Sequence, residues 1–270
     1  MTAVEEAKEM VRSGSLQAAI ERVTHAVKGN PADGMVRTFL FELLCFAGDW
    51  DRAEKQLDVI GHQDVKAEIG VLTYRNLIAA EKARRRVFRQ GVQPHFLQEP
   101  PSYVDLQLRA LLERRQGLTE AAAKTLDDAM AQWPKLGGRI NDRPFEEFRD
   151  ADDKVGPVLE VLVRDQYVWL PLEQVTHVEL QAPKRLRDML WVEAKIEAKS
   201  HTLAQVFVPA LYVCSNEQSD ERVKLGRMTD WLALGHDRFE GVGQRVFWVD
   251  GSDQSILGLR DVHIVSTVQR

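Results

Sequence analysis

Cysteine is nearly missing from this chain. Cys45 and Cys214 are the only two in 270 residues, and they lie far apart. That excludes a disulfide framework and a cysteine-rich zinc module, and both read as reduced, buried thiols. Long apolar runs are missing too. No stretch of about 18 apolar residues occurs, and the most apolar segment, Phe39 to Phe46, is interrupted by Glu42. Met1 to Met10 carries Glu5, Glu6, Lys8 and Glu9 instead of the basic start and apolar stretch of a secretory signal. A surplus of positive charge is also lacking. With 36 Lys and Arg against 41 Asp and Glu, the formal net charge of -5 disfavours a general nucleic-acid binder. The one basic run, Arg84-Arg85-Arg86, reads as a solvated helix face. The expectation is a cytoplasmic protein with neither membrane nor nucleic acid as partner.

Signatures of chemistry are equally sparse. No two of the seven histidines stand at zinc-ligand spacing. Neither a Gly-x-Ser-x-Gly elbow nor a phosphate-binding loop occurs, and Gly241-Val242-Gly243 lacks the third glycine of a dinucleotide fingerprint. Asp150, Asp152 and Asp153 are dense, but Val155 and Val161 stand where a calcium loop needs Gly and Glu. That cluster reads as a helix cap or a solvated turn. The expectation is no catalytic residue, no cofactor and no metal.

What the chain does have is an internal repeat. Gly14, Ala19, Val23 and Ala26 match Gly48, Ala53, Leu57 and Ile60 at an offset of 34, and Gly117, Ala122, Leu126 and Ala129 at an offset of 103. Pro31 and Pro134 share the second offset. A period of 34 with this small–large pattern is that of paired tetratricopeptide helices. Gly ends the first helix, the small Ala lets the second approach, and the large residue fills the groove between them. The second unit has Val65 where Pro would fall. Lys66 to Gln90 reads as one long helix, a degenerate third unit, followed by a loop with Pro94, Pro100 and Pro101.

Such arrays curve, and their inner face accepts peptides or helices. In the repeat register the first helix of each pair lines that face. The candidate groove positions are therefore Lys8, Val11, Thr38, Glu42, Gln107 and Arg114.

Beyond residue 136 the pattern changes. Residues 137–154 are turn-rich and read as a linker carrying a short helix, Phe145 to Asp150. Residues 155–270 show short β-rich runs, with turn signals at Asp165-Gln166 and Asp250-Gly251. The fold class is α+β: a tetratricopeptide-like array over 1–136, then a small barrel or bent sheet. The most distinctive polar stretch there is Gly226-Arg-Met-Thr-Asp-Trp231. Its Arg227 and Asp230 could hold a ligand, or they could tie a structural turn with Trp231 pinned into the core.

Several segments together resemble one family. They are Phe39-Leu-Phe-Glu-Leu-Leu-Cys-Phe-Ala-Gly-Asp-Trp-Asp-Arg-Ala53, Tyr167-Val-Trp-Leu-Pro171, Leu186-Arg-Asp-Met-Leu-Trp191, Val208-Pro-Ala-Leu-Tyr212 and Leu225-Gly-Arg-Met-Thr-Asp-Trp231. In order, they are similar to the ImpE/TagJ/SciE proteins, accessory proteins of bacterial type VI secretion systems. The resemblance implies a non-catalytic adaptor. Its implied partners are the N-terminal helix of the small contractile-sheath subunit and the AAA+ ATPase that disassembles the sheath. Two other readings stand beside it. One is an enzyme or small-molecule sensor using Arg227, Asp230 and His236. The other is a self-associating scaffold, whose oligomeric state the sequence leaves open.

Overall fold

The computed structural model describes residues 2–63 and 67–266, so Val65 and Lys66 lie outside the described residues. The first half is built of helix pairs. Helices α1 (Ala3–Arg12) and α2 (Leu16–Gly29) form the first, and α3 (Gly34–Ala47) and α4 (Trp50–Gln63) the second. Thr2 starts α1 with a reciprocal cap: its hydroxyl accepts the Glu5 N–H, and the Glu5 carboxylate accepts the Thr2 N–H. The repeat glycines do what the spacing demands. Gly14, Gly48 and Gly117 end or follow first helices at φ 86°, 71° and 78°, a left-handed backbone that other residues adopt at a cost. Ala19, Ala53, Val23 and Leu57 are buried between helices.

Helix α5 (Glu68–Gln90) is a single rod of 23 residues in the place of the degenerate unit. Helices α6 (Ser102–Arg115) and α7 (Thr119–Met130) form the last pair. The face of α5 that lacks a partner helix packs on the β half instead.

The linker reading is corrected. Residues 136–150 form three strands: β1 (Leu136–Ile140), β2 (Arg143–Phe145) and β3 (Phe148–Asp150). No short helix spans Phe145 to Asp150. Asn141 and Asp142, at φ 47° and 67°, make the two-residue turn of a hairpin that pairs Ile140 with Arg143. The polar signals taken for a linker are hairpin chemistry. Phe145 and Phe148 are buried, and Phe148 stacks on Phe247 at 5.0 Å.

The remaining strands are β4 (Val158–Val163), β5 (Gln166–Pro171), β6 (Val175–Leu180), β7 (Trp191–Ala198) and β8 (Thr202–Pro209). A short helix, α8 (Glu221–Lys224), precedes β9 (Thr229–Gly235) and β10 (Arg238–Gly243). Strands β11 (Val246–Val249), β12 (Ser252–Ser255) and β13 (Asp261–Ser266) complete the chain. Eight of them form an open antiparallel sheet in the order β2-β1-β13-β6-β7-β8-β4-β5. A hairpin of β9 and β10 and a three-stranded sheet of β3, β11 and β12 flank it.

Strands β4 and β5 are buried on both faces. Leu159, Val161, Val168 and Leu170 belong to the core beneath the sheet. Val158, Leu162, Tyr167 and Trp169 face the other way and share a single core with α1 to α6. The two halves of the sequence therefore meet through a continuous apolar interior. Among the described residues, no helix is long and apolar enough to cross a membrane.

Candidate functional site

Physical interest concentrates first where the halves meet. Glu160 lies in the helix-facing row of β4, between Val158 and Leu162, and is 1% exposed. A carboxylate there survives only if charged partners replace its lost water. Arg84 of α5 donates through Nε to Oε1 at 2.7 Å and through Nη2 to Oε2 at 3.3 Å. Arg245 donates to the same carboxylate and to Asp150, and the Tyr167 hydroxyl also donates to Glu160. Arg84 further reaches Glu81 at 3.3 Å and the Leu211 carbonyl at 3.0 Å. The two guanidiniums hold the Glu160 carboxyl well below the usual range despite its burial. Arg84 is thus no solvated face, which corrects the reading of the basic run at that position, whereas Arg86 is exposed. Its neighbour Arg85, together with Arg89, pairs with Glu217 of the second half.

The acidic cluster is buried as well. Asp150 pairs with Arg245. Asp152 accepts from the Lys154 N–H at 2.9 Å and the Gly241 N–H at 3.2 Å, and Asp153 accepts from the Phe239 N–H at 2.8 Å. The solvated-turn reading is corrected: these carboxylates serve as acceptors for backbone donors of the β9–β10 hairpin and its surroundings. Burial pushes Asp152 up to about 7.

The predicted groove positions fall in several places. Glu42 is buried and accepts from Arg187 at 2.8 Å, with burial pushing its pKa up. The Arg187 guanidinium lies 4.7 Å from the Tyr74 ring. Val11 is a core residue, and Gln107 donates to the Val155 carbonyl at 2.8 Å. Arg114 pairs with Glu240 at 3.5 Å. It lines a cleft of about 420 Å³ shared with Arg89, Arg115, Lys154 and Glu217. The inner face of the array is therefore covered largely by the chain's own second half. Sequence reasoning missed this, although the Glu inside the apolar run Val158-Leu-Glu-Val-Leu-Val163 was a signal that the strand needs a charged partner.

One part of the inner face stays open. Lys8, Thr38 and Glu42 line a hollow of about 1000 Å³ with Val4, Met35, Phe39 and Leu186. Met35 is 81% exposed at its rim. Lys8, Lys184 and Arg185 bring positive charge to its lining, and Asp33 brings a negative one.

The loop at 226–231 does not converge on a site. Arg227 donates to the Arg12 carbonyl at the end of α1. Asp230 accepts from the Trp231 N–H at 2.8 Å, and no hydrogen bond or salt bridge joins Arg227 and Asp230. Trp231 is half-buried, 5.9 Å from the Tyr212 ring. It borders a shallow hollow of about 340 Å³ with Phe239 and Trp248. His236 lies over α7, bonded to Glu120 at 2.9 Å and Asp127 at 3.3 Å.

A helical-repeat array packed against its own β-sheet half through a shared core, with a hollow open at its N-terminal end, defines an α+β protein. The family is set by comparison. The chain belongs to the ImpE/TagJ family of type VI secretion accessory proteins. It is 35% identical to the type VI secretion system accessory component TagJ of Pseudomonas aeruginosa, over 97% of this chain and 92% of that one. The model of the ImpE protein family matches residues 142–263. The crystal structure of protein VPA1032 from Vibrio parahaemolyticus has the same fold, with a TM-score of 0.89 at 23% identity, covering 97% of this chain and 98% of that one.

Proposed function

We propose that this protein is a non-catalytic adaptor that receives the N-terminal helix of the small contractile-sheath subunit in the hollow between α1, α3 and residues 184–187. By holding that helix it assists handling of the sheath by the AAA+ disassembly ATPase. The client comes from the family resemblance. The physical capacity comes from the hollow, which is the observation that carries the reading. At about 1000 Å³ it matches roughly two turns of a helix about 10 Å across. Its floor is apolar, with Val4, Phe39 and Leu186, and Met35 stands ready as an exposed anchor. Lys8, Lys184 and Arg185 suit an amphipathic helix with acidic flanks.

The test is titration of a labelled peptide of the sheath subunit's N-terminal helix, read by anisotropy. Binding at micromolar Kd or tighter, about -8 kcal/mol, is expected. Met35→Asp and Lys8→Glu should each weaken it about tenfold or more. Absence of binding, or unchanged affinity in both variants, would remove the hollow from the mechanism. Glu42→Lys is not a usable probe, because Glu42 is buried against Arg187.

A further inference from the structure

Strands β6 and β13 run antiparallel, and their register sets His177 directly opposite His263. The two imidazoles stack at 4.1 Å with planes 2° apart. Asp261 projects on the same face, two residues before His263. Both Nε2 atoms address its one carboxylate, His177 at 3.0 Å and His263 at 2.9 Å. One donor atom from each of the three side chains falls within a 4.8 Å cluster. Glu197, opposite His177 on β7, holds its carboxylate 3.9 Å from the His177 Nδ1.

Two imidazole nitrogens and a carboxylate oxygen form a donor set that suits zinc and its neighbours, and it is a poor one for magnesium or calcium. In a tetrahedral zinc site adjacent donors stand roughly 3.3 Å apart. The nitrogen–oxygen separations are 3.0 Å from His177 to Oδ2 and 2.9 Å from His263 to Oδ1, so closing on one ion takes a turn of the two stacked rings about their side-chain bonds that brings both Nε2 lone pairs to one point beside a single carboxylate oxygen. Asp261 and His263 are about half-exposed, which leaves the outer coordination position to water. Glu197 is placed to accept the His177 Nδ1–H after a small rotation, fixing the tautomer that presents Nε2. Of the cations in the same row, Arg139 pairs with Asp142 at 3.3 Å, and Lys195 pairs at 2.8 Å with Oε1 of Glu197, leaving Oε2 to His177. His236 offers a contrast. Its two nitrogens address different carboxylates, Glu120 and Asp127, so they cannot close on one ion.

We propose that His177, His263 and Asp261 form a site for one zinc or similar divalent transition-metal ion, whose binding staples β13 to β6. Sequence spacing hides it, because His177 and Asp261 are 84 residues apart and only the sheet register joins them. The test uses the full chain after chelator treatment, titrated with zinc against a chromophoric competitor. The expected result is one ion per chain at micromolar Kd or tighter, no substitution by magnesium, and a melting temperature raised by several degrees at a hundredfold excess over Kd. His263→Ala and His177→Ala should each weaken zinc binding tenfold or more. His263→Ala should keep the metal-free melting temperature, and His201→Ala should keep the binding. Zinc affinity weaker than about 100 µM, or affinity unchanged in both β6 and β13 variants, overturns the proposal. Loss of binding in His236→Ala with the β6 and β13 variants unaffected overturns it as well.

Discussion

Glu160→Gln is the sharpest test of how the two halves are joined. The substitution keeps the size and one acceptor of the side chain but removes the charge that Arg84 and Arg245 share. Arg84 is 3% exposed and Arg245 is fully buried, so neither guanidinium can turn to water. Removing one partner of a buried ion pair costs about 3–5 kcal/mol. Glu81 and Asp150 remain as partial counter-charges, which places the expected loss near the low end, about 3 kcal/mol. For a chain of this size that is a fall in melting temperature of about 6–12 °C.

The assay is thermal and urea unfolding at neutral pH, followed by far-ultraviolet dichroism and by tryptophan fluorescence. Trp169 donates to Tyr167, which itself donates to Glu160, so the fluorescence probe sits at the site. The pH dependence gives a second check with a fixed sign. The folded pKa of Glu160 is depressed. Its contribution is therefore present above the unfolded value of about 4.3 and is lost only as pH falls toward the folded value. The gap between wild type and variant should persist from pH 8 to about 5 and narrow in stronger acid. A loss below about 1 kcal/mol, or a gap that closes already near pH 6, would refute the argument that this carboxylate neutralises two trapped cations.

Other outcomes follow from the same geometry. Asp152 is raised by burial to about 7; an acid raised in the fold binds a proton there before it does when unfolded, so stability should rise as pH falls from 8.5 to about 6. A melting temperature that falls over that range in a buffer series would contradict this. Gly243→Ala should cost about 3 kcal/mol, because φ is 92° and the new Cβ would stand 2.0 Å from the Met228 carbonyl oxygen. Gly258→Ala, with open space around it, should change urea stability by less than about 0.5 kcal/mol. Residues 1–133 expressed alone should bind a hydrophobic dye and aggregate, since their core residues lose Val158, Leu162 and Trp169; a monodisperse, dye-silent fragment would contradict the shared core.

The helical half was legible because its signals are local. Glycine at the end of a first helix and a small residue one turn into the second recur at fixed offsets, and Gly14, Gly48 and Gly117 take the left-handed backbone that the offset implies. The β-rich character of the second half was legible in the alternation of its runs, and Asp250-Gly251 does form a hairpin turn, with Val249 facing Ser252. What escaped the sequence is non-local. Asn141-Asp142 has the same composition in a linker as in a hairpin, and only the pairing of β1 with β13 decides between them. The repeat register assigned Glu42 and Gln107 to an inner face; in the structure Glu42 meets Arg187 and Gln107 meets the Val155 carbonyl. It could not show that this face would be filled from within the same chain.

That filling changes what the array can do. A free tetratricopeptide hollow offers its first helices to a partner along its whole length. Here Gln107 of α6 is bonded to Val155, Arg84 of α5 to Glu160, and Glu81 to Trp191. The open remainder lies at the first two helix pairs, and its far wall is residues 184–187 of the second half. Arg187 stands in that wall while pairing with Glu42 of α3. An occupant of the hollow therefore touches both halves at once. In the proposed role, gripping a helix reinforces the same joint that Arg84 and Glu160 hold from inside. Binding of the sheath helix should then raise the melting of the whole chain in a single step, because the array alone supplies only one wall of the hollow.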